Sequence, residues 1–276
     1  MQSRLPSALL RTGSSALTFL GREALGIVLP SWCVACDREL SWESRTASCC
    51  ATCWAELPKI ENAKCDSCAL PLPGRPVAQL PGIPVLPDNR ETGQPGDRAT
   101  AQPRSLCIPC LTNPLPLEWC EAWGEYRGSL ERVLHALKFE RHDFLDDALA
   151  ALVDDTLRDR DFDALVAVPM QRAKERKRGY NQAELLARAL ARRIGVPCDM
   201  RLLTRRRGGA TQSSLPKRER AANVHGAFAA STRAKGRAIL IVDDISTTGE
   251  TLRACAAALR DAGASRVCAV AVAKAI

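Results

Sequence analysis

Hydrophobic positions in the C-terminal half of the chain switch between two spacings, and that switching sets the fold class. Leu130, Val133, Leu134 and Leu137 in SLERVLHALKFE fall on one helical stripe, and a second helix is expected over 143–158. ALVAVP (164–169) is a short apolar run ended by Pro169, which reads as a buried strand. NQAELLARALARRIG (181–195) returns to helical spacing and closes on Gly195. RAILIVDD (237–244) is a second buried strand, 249–261 a helix stopping before Gly263, and RVCAVAVA (266–273) a third strand. Strands alternating with helices predict an α/β fold built on a parallel sheet with helices on both faces.

Upstream the pattern fades. Residues 31–120 show few stretches of either spacing, and eight of the chain's 17 prolines fall within 71–104. That stretch has too little apolar surface to order itself and is expected to be a flexible insert. Leu17, Leu20, Ala24, Leu25 and Val28 give residues 1–30 the spacing of an amphipathic helix or tail. Arg22 and Glu23 interrupt its apolar run, no run reaches the roughly 18–20 residues of a membrane span, and no small-residue cleavage site follows. A cytoplasmic protein without membrane insertion is the expectation. The organisation reads as a tail (1–30), a loop-rich segment (31–120) and an α/β domain (121–276).

Charge and cysteine content change this picture. The formal net charge is +8, but residues 171–220 alone hold 15 Lys/Arg against 4 Asp/Glu. Such a concentration points to a polyanionic partner, either a phosphorylated ligand or nucleic acid. Ten of 13 cysteines lie between 33 and 120, eight of them in four CxxC pairs: Cys33/Cys36, Cys50/Cys53, Cys65/Cys68 and Cys107/Cys110. A CxxC turn brings two thiolates to one metal, and two such turns complete a tetrahedral zinc site. Disulfides would need an oxidising compartment. A thioredoxin-like site would need a single pair at a strand–helix junction. One or two structural Zn²⁺ ions are therefore expected, with Cys49 and Cys120 spare. The insert lengthens one loop by a cost that grows only logarithmically, so a site spanning it should survive.

The most informative stretch is AILIVDDISTTGETL (238–252). Two adjacent carboxylates repel, so the fold must use them. Ligand sites in open α/β sheets lie at the carboxyl ends of strands. Here Asp243 and Asp244 precede a small, hydroxyl-rich turn that enters a helix N-terminus, where free amides and the dipole favour a phosphate. Acceptor-only carboxylates suit sugar hydroxyls or a magnesium shell. Together they describe a ribose 5-phosphate site. A Walker B strand would need GxxxxGK[ST], and the chain has no Gly-Lys dipeptide. A plain helix cap explains one acid but not two.

ILIVDDISTTGET resembles the phosphoribosyl pyrophosphate (PRPP) motif of type I phosphoribosyltransferases. The CxxC pairs, LKFE (137–140), VPMQRAKERKRGYNQAELLA (168–187), TQSSLPKRERAANVHGAF (211–228) and this loop, in that order, resemble the ComF family of competence-related proteins, which includes GntX-like members. The likeness runs from Cys33 to the C-terminus; Tyr180, where Phe is common, and the Pro-rich insert depart from it. It implies a double zinc ribbon over 31–120 ahead of a type I phosphoribosyltransferase-like sheet. By position it assigns Asp243 and Asp244 to the ribose hydroxyls and Mg²⁺–pyrophosphate. Ser246, Thr247, Thr248, Gly249, Glu250 and Thr251 would bind the 5-phosphate.

Lys174, Arg176, Lys177 and Arg178 are placed near the pyrophosphate, and 204–223, with Arg207, Thr211, Gln212, Arg218 and Asn223, as a mobile hood. Arg178 and Arg218 are favoured as catalytic residues over the Arg205–Arg207 run, which reads as solvated. The resemblance implies a PRPP-binding protein aiding DNA uptake or the use of external DNA, with single-stranded DNA and DNA-uptake proteins as partners. The alternative is an active phosphoribosyltransferase of nucleotide metabolism, for whose acceptor no motif stands. Aromatic residues are only 4%, so stacking platforms are scarce. Trp32, Trp42 and Trp54 are candidates, with core packing the expected job. His135, His142 and His225 have no ligand spacing.

Overall fold

The computed structural model describes residues 32–40, 48–72, 105–139, 145–206 and 226–276. The 1–30 helix, nearly all of the 71–104 insert, Arg207, Thr211, Gln212, Arg218, Asn223, Trp42, His142 and His225 lie outside the described residues. The chain divides into two compact units, Met1–Glu56 and Leu57–Ile276.

In the first unit an antiparallel bridge between Trp32 and Glu39 closes the CVAC turn, and the short helix α1 (Ala51–Ala55) starts at Cys50. Trp32 is 56% exposed, which corrects the expectation that it packs in a core.

The second unit is organised by a four-stranded, all-parallel sheet of order β1–β6–β5–β2: Cys120–Glu125, Arg266–Lys274, Ala238–Ser246 and Ala164–Ala167. Alternation along the strands separates two faces. Ile239, Ile241, Val267, Ala269 and Ala122 pack with Leu252, Cys255 and Leu259 of α7 (Glu250–Asp261). The opposite face is covered by α4 (Leu145–Asp154) and α6 (Gln182–Ile194), with α3 (Gly128–Phe139) beside them. Strands β2, β5 and β6 and helices α3, α4, α6 and α7 thus fall where the hydrophobic spacing predicts.

From residue 120 onward, four strands and α-helices are absent from that reading. β1 was hidden because Glu121 interrupts its run; the carboxylate is paired with Arg158 at 2.8 Å. β3 (Leu203–Arg205) and β4 (Phe228–Ala230) form a separate antiparallel pair only three residues long. α5 (Arg172–Arg178) carries no buried residue and so has no apolar stripe to detect.

The division between units falls inside 31–120. Cys65, Cys68, Cys107 and Cys110 share a core with Leu106, Leu115, Leu117 and α7, while Arg158 ties Asp66 to Glu121 of β1. α2 (Ile108–Thr112), begun by Cys107 with Pro109 in its first turn, therefore belongs to the sheet-bearing unit. Among the described residues no helix is long and apolar enough to cross a membrane.

Candidate functional site

β5 extends through both acids to Ser246, two residues beyond its expected end. The reason is β6, which keeps pairing: Asp243 with Ala271, Ile245 with Ala273, Ser246 with Lys274. On the β2 side pairing stops at Val242–Ala167, so the sheet steps down beside Asp243 and Asp244. Thr247 and Thr248 form an exposed turn, and Gly249 enters the left-handed region (φ 83°) to start α7. Gly249 supplies no side-chain cap, which leaves the opening amides of this 12-residue helix without a side-chain acceptor among the described residues.

The two acids lie on opposite faces of the strand. Asp243 shares the face of Ile239 and Ile241, toward α7. Burial, and then the neighbouring charge of Asp244, raise its carboxyl well above the usual range. Asp244 pairs with Lys138 of α3 at 3.1 Å. Each spends one oxygen on the next amide, Asp244 N–H to Asp243 Oδ1 (2.9 Å) and Ile245 N–H to Asp244 Oδ1 (3.0 Å).

Lys138 belongs to LKFE, and its neighbours explain that motif. Tyr180 donates its hydroxyl to the Leu137 carbonyl, and the Arg178 guanidinium lies 4.8 Å over the Phe139 ring. Three sequence segments thus converge at one end of the sheet. Asn181 joins them by donating to the Val168 carbonyl at 3.0 Å and capping α6 through Ala183 N–H.

Lys274 is the residue the sequence reading missed. It is 2% exposed, and its ammonium donates to the Thr247 carbonyl inside the turn. It makes no ion pair among the described residues. The Ser246 hydroxyl, its register partner, is buried with no partner among them. A buried cation and an orphan hydroxyl mark a place where negative charge and an acceptor are missing. No local pattern announced this, because a lone lysine near a strand end is ordinary.

The other expected site residues divide. Ser246, Thr247, Thr248, Gly249 and Thr251 line the turn, whereas Glu250 faces Arg253 at 3.4 Å. Lys174, Arg176 and Lys177 are exposed on α5, and Arg178 is half-buried against Phe139. Arg205 corrects the solvated reading. It is half-buried, 5.1 Å over the Phe228 ring, and burial lowers its pKa. It lines a cavity of about 170 Å³ with Ala167, Pro169, Met170, Met200 and Thr204 at the end of β2.

The cysteines resolve into two groups, Cys33/Cys36/Cys50/Cys53 and Cys65/Cys68/Cys107/Cys110, each with its sulfurs within 4.8 Å of one another. None of them forms a disulfide. Cys36–Cys50 at 3.9 Å and Cys68–Cys107 at 3.7 Å match the tetrahedron edge of about 3.8 Å that Zn–S bonds require. Backbone amides already point at sulfur: Cys50 N–H to Cys33 and Cys107 N–H to Cys65, both 3.3 Å. Burial pushes the Cys33 thiol up, but amides of Cys50, Ala35 and Cys36 outweigh it and bring it to about 6. The Cys110 and Cys68 thiols hold Cys65 far below the usual thiol range. Both donor sets fit Zn²⁺. Cys49 and Cys120 belong to neither group, and burial pushes Cys49 up to about 12.

Comparison with known proteins agrees with this arrangement. A double zinc ribbon domain matches residues 24–81, and a phosphoribosyl transferase domain matches 180–276. The DNA utilization protein YhgH of Salmonella typhimurium is 34% identical over 174 residues, 60% of this chain and 77% of that one. Competence protein F of Haemophilus influenzae is 29% identical over 58% of this chain and 75% of its own. Among solved structures, glutamine PRPP amidotransferase from B. subtilis covers 50% of this chain and 30% of that one, at 18% identity and a TM-score of 0.37. With these two domains matched and a relative at 34% identity matched over 77% of its length, the chain belongs to the ComF family.

Proposed function

We propose that the chain binds PRPP, or a related ribose 5-phosphate ligand, at the end of β5, and that it aids DNA uptake or the use of external DNA. The observation that carries the ligand reading is the buried Lys274 ammonium behind the uncapped start of α7. A 5-phosphate on those amides would meet the helix dipole and this cation together. Thr247, Thr248 and Thr251 add hydroxyl donors. Asp243 keeps one carboxylate oxygen for a ribose hydroxyl, and the Asp244 oxygen that pairs with Lys138 would accept a second hydroxyl beside that ammonium.

Mg²⁺ fits this donor set. A cation beside Asp243 would offset the burial and the neighbouring charge that now favour its neutral form. When bound, the ion supplies charge neutralisation on the pyrophosphate. Arg178, held over Phe139, and Arg218 from the hood would orient that pyrophosphate through planar donor forks.

The relatives' names, DNA utilization protein and competence protein, support the cellular role. The exposed cations of α5 and exposed Trp32 supply chemistry for single-stranded DNA: charge along the backbone and one stacking face. Calorimetry with PRPP and Mg²⁺ tests the first half, and Asp243→Asn/Asp244→Asn should abolish the signal. Single-stranded DNA binding that weakens with salt, and weakens further in Arg176→Ala/Lys177→Ala, tests the second. Loss of neither signal would overturn the reading.

The cavity beside Ala167 favours a second reading, an active phosphoribosyltransferase of nucleotide metabolism with a small acceptor seated near Arg205. Pyrophosphate release measured across a panel of bases and amines decides between them.

A further inference from the structure

The second cysteine group and the phosphate turn are built on a shared strap, residues 113–115. Ser67, fully buried between Cys65 and Cys68, accepts the Leu115 amide at 2.7 Å. The Leu115 side chain lies against Gly249, where an added Cβ would stand 3.2 Å from Leu115 Cδ1. From the other direction, α2 carries Cys110 and ends at Asn113. Arg253, in the first turn of α7, donates from Nη1 to Asn113 Oδ1 (2.9 Å) and the Pro114 carbonyl (2.8 Å), and from Nη2 to the Asn113 carbonyl (2.8 Å).

A cation in a helix's first turn opposes the dipole, and one beside an anion cradle would ordinarily be read as a phosphate ligand. Arg253 serves neither the dipole nor a ligand through its Nη atoms, because the strap holds both, while its buried Nε, 3.4 Å from Glu250, has no hydrogen-bond partner among the described residues. Only 15% of its side chain is exposed, so these charge-assisted bonds act in a shielded environment where geometry matters most.

We propose that Arg253 and Leu115 are positioning residues through which metal at Cys65, Cys68, Cys107 and Cys110 sets the phosphate affinity of the turn. The inference rests on the reading that the turn binds a sugar phosphate. Metal fixes both CxxC turns, these fix the 113–115 strap, and the strap holds Gly249 and the opening of α7 in register. Coupling of this kind is reciprocal: a ligand on the turn must also tighten the metal.

The test uses the full chain, zinc-loaded and chelator-stripped, with PRPP–Mg²⁺ as probe. Stripping should weaken wild-type affinity at least tenfold and speed amide exchange over 247–253. Arg253→Met should show the same weakening while still loaded with zinc, and stripping it should add little further. Saturating PRPP should slow zinc transfer to a chromophoric chelator in wild type and not in Arg253→Met. Equal affinity in loaded and stripped wild type, or full additivity of stripping and Arg253→Met, overturns the proposal. If wild type binds no PRPP, the ligand reading falls, while exchange over 247–253 in loaded against stripped protein still decides the coupling. If stripped protein unfolds, Ser67→Ala and Arg253→Met, both zinc-loaded, carry the comparison.

Discussion

Lys274 and Asp243 show how single side chains are set against stability at this site. Burying an ammonium costs several kcal/mol in effective desolvation, and among the described residues Lys274 has only the Thr247 carbonyl to offset it. Lys274→Met should therefore raise the melting temperature of the ligand-free protein while weakening PRPP at least tenfold. A lower melting temperature with unchanged affinity would assign the lysine a purely structural role. Asp243 carries a penalty of the opposite sign. Its folded carboxyl is raised, so the folded state binds more protons than the unfolded chain above the ordinary carboxylate range, and stability falls as pH rises through that window. Asp243→Asn removes the term. The melting advantage of the variant over wild type should grow from pH 4 toward neutrality, and a flat difference across that range would refute the assignment.

At the scale of elements, two glycines decide where strands and helices can meet. Gly249 occupies the left-handed region directly under Leu115. Alanine there should cost about 1–2 kcal/mol from backbone conformation alone, with a further loss of phosphate affinity as the turn shifts. Gly124 is tighter: a Cβ on β1 would lie 2.6 Å from Leu130 Cδ2 and 2.7 Å from the Pro58 carbonyl. The carbonyl cannot rotate away, because Glu125 N–H donates to it at 2.8 Å. Gly124→Ala should destabilise the sheet-bearing unit by about 1–3 kcal/mol, read from chemical denaturation, with metal content retained. The helices α3, α4, α6 and α7 were legible because each carries an apolar stripe long enough to count. α5 and the β3–β4 pair were not, since a charged seven-residue helix and three-residue strands carry no period.

For the whole molecule the two cysteine groups have unequal standing. The first lies in a unit of its own; the second is part of the core that also holds β5 and α7. Metal analysis of the purified chain should find two zinc ions per molecule. Chelation should lower the melting transition of the sheet-bearing unit, because the core around Leu106, Leu115 and Leu117 loses its anchor. Fewer than one zinc per chain, or a transition indifferent to chelation, would contradict this. The pairing across the insert was thermodynamically plausible from the chain, since loop closure grows slowly with length. The Asp66–Ser105 backbone bond at 2.8 Å shows how it is made.

Local order along the chain was enough for the α/β class, the four CxxC turns, the phosphate-type turn at Ser246–Thr251 and the family resemblance. Those features are periodic or contiguous, and the backbone's short-range preferences read them directly. Folding alone determined which CxxC turns come together, that Asp243 and Asp244 face opposite sides, that Lys138 and Lys274 reach this end of the sheet from other segments, and that Arg253 bonds the 113–115 strap. Such contacts depend on strand register and on packing between residues up to 140 positions apart, and no periodicity within either segment encodes them.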